Sequence, residues 1–179
     1  MQVAMMEECP LPKHYIWYAE ESNRAALFLL QKNNEELKSA SLSISFGLSL
    51  HAIELCGKSM LRTLGGLPSE IKTEHGRHKL LDLLGNIERK ISTHPEARVQ
   101  EFKDFLVSNL IIGTEEFGKI AMYLKKHFNC GVSAYPRNYL YPDNEVFSGP
   151  ESIFGLHAIA EHMIKNATAL ALALGHESP

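Results

Sequence analysis

The stretch SLSISFGLSLHAIELCGKSMLRTLGG, residues 41–66, carries the strongest structural signal in the chain. Its apolar residues recur at intervals of three and four, and a second apolar stripe runs beside the first, so the pattern predicts a helix from about Glu36 to Leu64. A helix that is apolar on so much of its circumference is normally buried against several neighbours. The segment is therefore expected to be the central helix of a bundle, ended by Gly65-Gly66 and the following Pro68. The two stripes consist of Leu42, Phe46, Leu50, Ile53, Cys56, Met60 and Leu64, and of Ile44, Leu48, Ala52 and Leu55.

Helical periodicity also dominates the rest of the chain, and no segment alternates with period two for long enough to predict a strand. Helices are expected at 13–31, at 76–90 and from Pro95 towards residue 113, and the segment 114–127 restarts or continues a helix. The last helix is expected to open within Ser148-Gly149-Pro150-Glu151. The fold class is predicted to be all-α, a single helical bundle of four to six helices spanning residues 13–174. Residues 1–12 are interpreted as an N-terminal extension and 175–179 as a C-terminal tail. The core sides of these helices are predicted to carry Ile16, Ala19, Ala26, Leu30, Leu80, Leu83, Leu84, Ile87, Val99, Phe102, Leu106, Leu110, Ile153, Leu156, Ala160, Ile164, Ala167 and Leu174.

The composition limits the classes of protein to which the chain can belong. The net charge is −3, so the chain lacks the strongly basic character of many nucleic-acid binders. Three cysteines without a Cys-x-x-Cys pair predict neither a disulfide framework nor a cysteine zinc site. The N-terminus does not resemble an export signal, and no segment has the roughly 18 uninterrupted apolar residues of a membrane span. A cytoplasmic protein without a membrane partner is expected.

Nine histidines raise the question of a metal site. None of the glutamates is followed by a histidine three positions later, so the Glu-x-x-His pairs of a di-iron bundle are missing. His51 with Glu54 and His157 with Glu161 lie within one helical turn of each other, but polar groups satisfied in or beside the core are the favoured interpretation. No metal site and no cofactor are predicted.

A polar stripe interrupts the central helix and consists of His51, Glu54, Lys58 and Arg62. Glu54 precedes Lys58 by four residues, which is the favourable order for a helical ion pair. The stripe is interpreted as the solvated or interface face of the helix in preference to a functional site.

The segment from residue 129 to 150 contains too many proline, glycine and asparagine residues for a regular element, and a long loop before the last helix is predicted. Loops of this length are often functional. Basic and aromatic side chains in and just before it can contact phosphates and stack on bases, which makes them candidates for binding RNA or a partner. The alternative is that the tyrosines anchor the loop to the bundle. The candidates are Lys125, Lys126, Arg137, Tyr139 and Tyr141.

The order of residues in and after the central helix resembles the HEPN superfamily (higher eukaryotes and prokaryotes nucleotide-binding). Ala52-Ile53-Glu54-Leu55-Cys56-Gly57-Lys58 is similar to an Ala-x-Glu-x-x-x-Lys signature of the second helix, most like the AbiV abortive-infection branch. The downstream segment His78-Lys79-Leu80-Leu81 follows in the expected order. The resemblance implies a bundle of four to five helices, frequent dimerisation through helix faces and, in active members, a metal-independent ribonuclease site.

That ribonuclease site consists of an Arg, a polar residue and, after four to six positions, a His near the start of the last helix. Arg137-Asn138 matches the first half, but the positions expected to hold the histidine are Pro142, Asp143 and Asn144. Without the histidine the general acid–base group is missing, and Asp143 is a poor substitute. Arg89 and His94 satisfy the spacing but fall in a different part of the predicted fold.

The sequence therefore predicts a non-catalytic HEPN-like bundle that binds RNA or a partner protein, as a homodimer or with another chain. A role in phage defence or in a toxin–antitoxin-like system is the expected context. One alternative is an atypical metal-independent ribonuclease that uses Arg137 and Asn138, with Asp143 as a further candidate. Another is a structural module for protein–protein interaction.

Overall fold

The computed structural model describes residues 10–31, 39–74, 80–99, 102 and 150–177. Its helices are α1 (Pro12–Gln31), α2 (Ser39–Thr63), α3 (Pro68–Glu74), α4 (Leu80–Ser92) and α5 (Pro150–Ala173). Residues 97–99 and 102 are helical as well. These described segments contain no strand, and the predicted all-α class is confirmed. The predicted helix at 114–127 and the loop up to residue 149 lie outside the described residues, and the domain boundaries stay predictions.

The end of α2 confirms the interpretation of Gly65-Gly66 as a helix stop. Gly65 has a φ of +80°, a left-handed conformation that costs glycine little. Its N–H donates to the Arg62 carbonyl at 3.1 Å, and the Gly66 N–H donates to the Leu61 carbonyl at 2.8 Å. This pair of bonds is a Schellman motif, which satisfies carbonyls that the helix leaves without an internal partner.

The helix α3 was not predicted, because Pro68 was interpreted only as a helix terminator. Proline is also favoured at the first position of a helix, where its missing N–H is not needed, and Pro68 occupies that position here. The Glu70 carboxylate accepts a hydrogen bond from the Leu67 N–H at 3.3 Å and so satisfies the backbone that precedes the helix. Pro68 therefore begins a short helix directly after the α2 stop.

The directions of the long helices follow from three contacts between them. Ser45 and Ser59 on α2 donate hydrogen bonds to the α1 carbonyls of Ala26, at 3.2 Å, and Pro12, at 2.9 Å, so α1 and α2 run antiparallel. The Lys13 ammonium lies 2.6 Å from a carboxylate oxygen of Glu177, just beyond the end of α5, so α5 is antiparallel to α1 as well. Hence α2 and α5 run parallel, and each packs against the other and against α1.

The core lies around α2, which contacts each of the other four helices. Gly57 allows α4 to approach closely, since a Cβ atom at this position would lie 2.8 Å from Leu83 Cδ2. Among the described helices, none combines the length and hydrophobicity needed to span a lipid bilayer. Most of the predicted core positions are buried in this structure: Ile16, Ala19, Ala26, Leu30, Phe46, Leu50, Ile53, Cys56, Met60, Leu64, Leu80, Leu83, Leu84, Ile87, Val99, Leu156, Ala160 and Ala167.

Candidate functional site

A charged pair lies inside the bundle on α2. The Lys58 Nζ is 2.6 Å from Glu54 Oε1, one turn earlier on the same helix. The Glu54 side chain is only 1% exposed and that of Lys58 16% exposed. Burial of two charges is costly unless they are paired, so this ion pair is what makes the placement tolerable.

The interpretation of the polar stripe as a solvated or interface face is therefore wrong at Glu54, whose side chain is buried within the chain itself. The surroundings of Glu54 explain the difference, because its chain neighbours Ala52, Ile53, Leu55 and Cys56 are buried too. Helical periodicity predicts the buried face of a helix from the positions of its apolar residues. It contains no information on how many other helices surround that helix. Since α2 is covered by several helices, positions that look polar in the sequence are enclosed.

The other members of the predicted polar stripe have separate environments. Arg62 is half-buried, and its Nη1 donates to the Gly66 carbonyl at 2.6 Å. The arginine thereby fastens the turn that ends α2. His51 is exposed, whereas Glu54, three residues later, is buried. The stripe thus divides into an exposed histidine, a buried ion pair and an arginine that caps the helix end.

A second polar contact joins α1 to α5. The His157 Nδ1 lies 2.8 Å from Oδ1 of Asn23, which is 5% exposed. With the amide oxygen as acceptor, the protonated Nδ1 of the imidazole donates this hydrogen bond. Burial lowers the pKa of His157, and the nearby carboxylate of Glu161 only partly opposes that shift. Burial of the ring therefore favours the neutral form of His157.

His157 and Glu161 make separate contacts in this arrangement. Glu161 Oε1 lies 2.9 Å from Lys165 Nζ on the exposed side of α5, and the hydrogen bond from this lysine lowers the pKa of the Glu161 carboxyl. His162 is half-buried, and its pKa is lowered by burial first and by Lys165 second. Within the described segments, no group of three or more His, Cys, Asp or Glu side chains is placed to hold a metal ion.

Sequence reasoning missed Asn23, although a signal was present. Asn23 occupies the buried side of α1 in register with Ile16, Ala19, Ala26 and Leu30. An amide on an otherwise apolar helix face predicts a polar partner across the packing interface. Its partner could not be identified from the sequence, because His157 lies 134 positions away.

The buried thiol of Cys56 has no role as a nucleophile in this environment. Burial raises the pKa of Cys56 far above that of an exposed thiol, with a smaller contribution from the carboxylate of Glu20. The thiolate is the nucleophilic form, so a thiol that stays protonated is inert. Cys56 therefore acts as a small apolar side chain of the core.

The two residues that satisfy the ribonuclease spacing by chance have separate partners. Arg89 lies in the last turn of α4, and its Nη2 donates to Asn86 Oδ1 at 2.6 Å. His94 follows the helix, and its Nδ1 accepts a hydrogen bond from the Glu96 N–H at 3.3 Å. Both contacts are local, and each is accounted for by the end of α4 and the turn after it.

The remaining candidates are in the part of the chain that the structure does not describe. They are Lys125, Lys126, Arg137, Asn138, Tyr139, Tyr141 and Asp143. Their assignment to RNA binding, partner binding or catalysis stays a prediction. Comparison of the chain with protein-family models, with curated proteins and with solved structures yields no match.

Proposed function

We propose that the chain is a HEPN-like helical bundle that acts by binding a partner, in the cytoplasm and in a phage-defence or toxin–antitoxin-like setting. The observation that carries the proposal is the buried pair of Glu54 and Lys58. The resemblance rests on the segment Ala-x-Glu-x-x-x-Lys, and its two charged residues are ones that the bundle encloses. A chance match on a surface helix would leave them in water.

Binding is favoured over catalysis by the chemistry of the residues. Metal-independent cleavage of RNA needs a proton-transfer group beside a cation that stabilises the charge on the phosphate. The sequence after Arg137-Asn138 has Pro142, Asp143 and Asn144 where that group is expected. Arg89 and His94, the other pair with suitable spacing, are held by separate local contacts.

A protein partner is favoured over RNA by the exposed surface of the described helices. Large apolar side chains are about half exposed on α1, α2 and α5, and aromatic residues are enriched in protein–protein interfaces. The net charge of −3 does not favour a broad contact with phosphates. These exposed residues are Trp17, Tyr18, Phe28, Ile44, Phe154 and Leu172.

RNA is the second candidate, and the basic and aromatic residues before and within the predicted loop favour it. The test is incubation of a labelled, structured RNA with the purified protein in the presence of a chelator, followed by gels for cleavage and by anisotropy for binding. We expect no cleavage. Cleavage without metal that disappears in Arg137→Ala would contradict the proposal and support an atypical ribonuclease.

A matched control for that variant is Arg98→Ala. Arg98 is an exposed arginine that pairs with Glu96 and lies far from the candidate loop in the sequence. Loss of RNA binding in Arg137→Ala alone would assign RNA as the ligand of the loop. Equal loss in both variants would indicate a general effect of charge.

A further inference from the structure

The outward side of α1 carries an unusual set of side chains. Trp17, Tyr18 and Phe28 are 50%, 55% and 58% exposed, and the rings of Trp17 and Tyr18 lie 4.8 Å apart. Glu21 and Arg24 lie between these aromatic residues on the same side of the helix. The opposite side of α1 packs into the core. We call the set of Trp17, Tyr18, Glu21, Arg24 and Phe28 the α1 outer face.

Four of the five residues on this face are placed symmetrically about its centre, and Tyr18 lies at its edge. Trp17 and Phe28 are equally distant from the midpoint between residues 22 and 23, and so are Glu21 and Arg24. At a rise of about 1.5 Å per residue, the two aromatic rings start from backbone positions roughly 16 Å apart, with the charged residues between them. All of these residues fall within about 120° of the helix circumference, since α-helical positions advance by about 100° each.

A second copy of α1 in the opposite direction complements this pattern. In an antiparallel pair with a two-fold axis between Ser22 and Asn23, Trp17 of each copy meets Phe28 of the other. The same axis places Glu21 of each copy opposite Arg24 of the other. A two-fold interface requires a surface that is complementary to itself, and this face fulfils that condition with two aromatic residues, Trp17 and Phe28, and with its two charged residues.

We propose that the α1 outer face is the interface of a homodimer in which α1 packs antiparallel against α1 of a second copy. The inference rests on the proposed binding function and names the partner and the surface. In a single chain, Arg24 Nη1 lies 2.8 Å from Glu21 Oε1, and their side chains remain 71% and 48% exposed. In the dimer each of these charges gains a second partner of opposite sign.

The composition of the face distinguishes this occupant from RNA. One acidic and one basic residue cancel, so the face has no excess positive charge for phosphates. The aromatic residues are then most favourably covered by apolar side chains, which the second copy supplies. A helix of 20 residues is about 30 Å long, so the interface is small and we expect a dimer whose population depends on protein concentration.

Charge reversal provides a direct test of the pairing. Glu21→Arg alone gives a homodimer with only positive charges across the centre, and Arg24→Glu alone gives one with only negative charges. Like charges in contact across an interface are unfavourable, so we expect sedimentation velocity to show a dissociation constant raised roughly tenfold or more for each variant. A one-to-one mixture of the two variants restores opposite charges across the axis and should recover the dimer.

The mixture separates the contact between copies from the contact within one chain. Both variants lack the internal Glu21–Arg24 ion pair, so recovery on mixing arises only from pairing between chains. Circular dichroism should show equal helicity for both variants, because glutamate and arginine have similar helix propensities. Wild-type protein that sediments as a monomer at all concentrations would overturn the inference, as would variants that dimerise as well as the wild type.

Two serine variants test the aromatic part of the face. Phe28→Ser should weaken the dimer, whereas Leu172→Ser, which changes an apolar residue on α5 of similar exposure, should leave it intact. The reverse result would overturn the α1 interface but support the proposed binding function through another surface. Arg137-dependent cleavage of RNA would contradict the proposed function whether the protein sediments as a monomer or as a dimer. Failure of the proposed function and failure of the dimer interface are therefore distinguishable.

Discussion

The substitution Glu54→Ala tests the energetic importance of the buried ion pair. Glu54 is 1% exposed and Lys58 is 16% exposed, so removal of the carboxylate leaves an ammonium group largely out of water. Breaking one side of a buried pair costs about 3–5 kcal/mol of unfolding free energy. The long lysine side chain can direct its charge towards solvent, which favours the lower end, about 3 kcal/mol.

The matched control lies on α5. Glu161 and Lys165 have the same residue types, the same spacing and almost the same separation, 2.9 Å, but their side chains are 55% and 69% exposed. An exposed helical pair of this kind contributes about 0.3–0.5 kcal/mol. Glu161→Ala should therefore destabilise the protein far less than Glu54→Ala, although both remove a glutamate that precedes a lysine by four residues.

Urea unfolding, monitored by circular dichroism, gives the free energy of unfolding of both variants. For a chain of this size each kcal/mol shifts the melting temperature by about 2–4 °C, so Glu54→Ala should melt roughly 6–12 °C below the wild type. If Glu54→Ala and Glu161→Ala lower the free energy of unfolding by amounts that agree to within about 0.5 kcal/mol, the reasoning is refuted, because burial would then make no difference to the strength of an ion pair. Adding Lys58→Ala to complete a double-mutant cycle isolates the coupling between the two residues.

The remaining predictions concern two glycines and a histidine. Gly65→Ala should destabilise the protein by about 1–2 kcal/mol, because Gly65 has a left-handed backbone conformation. Gly47→Ala should stabilise it by roughly 0.5–1 kcal/mol, because Gly47 lies in mid-helix with open space around it. Thermal melts of the two variants measure both effects. The folded state lowers the pKa of His157 below 6.5, so the unfolded chain binds the proton first as the pH falls. Its stabilising contribution should be present above about pH 6.5 and be lost as the pH falls towards the folded pKa, and unfolding series between pH 7.5 and 5 should show a shallower loss in His157→Gln.

The long helices were predictable from the sequence because packing and periodicity agree in them. The predicted starts and ends of α1 and α2 differ from the structure by no more than a few residues, and the apolar positions predicted for α4 are buried. The helix α5 begins at Pro150, which is one of the four residues, 148–151, predicted to open it. The helix α3 was not predicted, since its seven residues contain too few turns to show a helical period. In addition, a proline such as Pro68 can either follow the end of one helix or begin the next.

The candidate site was predictable only in part. The spacing of Glu54 and Lys58 predicted their pairing, which the structure confirms at 2.6 Å, but the burial of the pair depends on how many helices surround α2. The contact between Asn23 and His157 depends on the packing of α5 against α1, which no local pattern contains. Helix periodicity identifies a face, and the neighbour of that face is a property of the tertiary structure.

Two serines of α2, Ser45 and Ser59, are also explained by the tertiary structure. In the sequence they only interrupted an apolar segment. In the fold Ser45 and Ser59 donate to carbonyls of α1, so they fix the alignment of two helices at points about four turns apart. Small hydroxyl side chains permit close approach of the helices and still satisfy their own polar groups.

The pairing of α1 and α2 with the distant α5 imposes an order on events during synthesis. The first two helices are adjacent in the chain, so they can associate as soon as both have emerged, whereas α5 begins at Pro150 after 86 intervening residues. At a rate of synthesis of about 5–20 residues per second, roughly 4–17 s pass between the end of α2 and the start of α5, and the surface that α5 covers stays open during this time. For that interval the nascent helical hairpin exposes to solvent the apolar side chains that α5 later covers, and transiently exposed apolar surface favours aggregation.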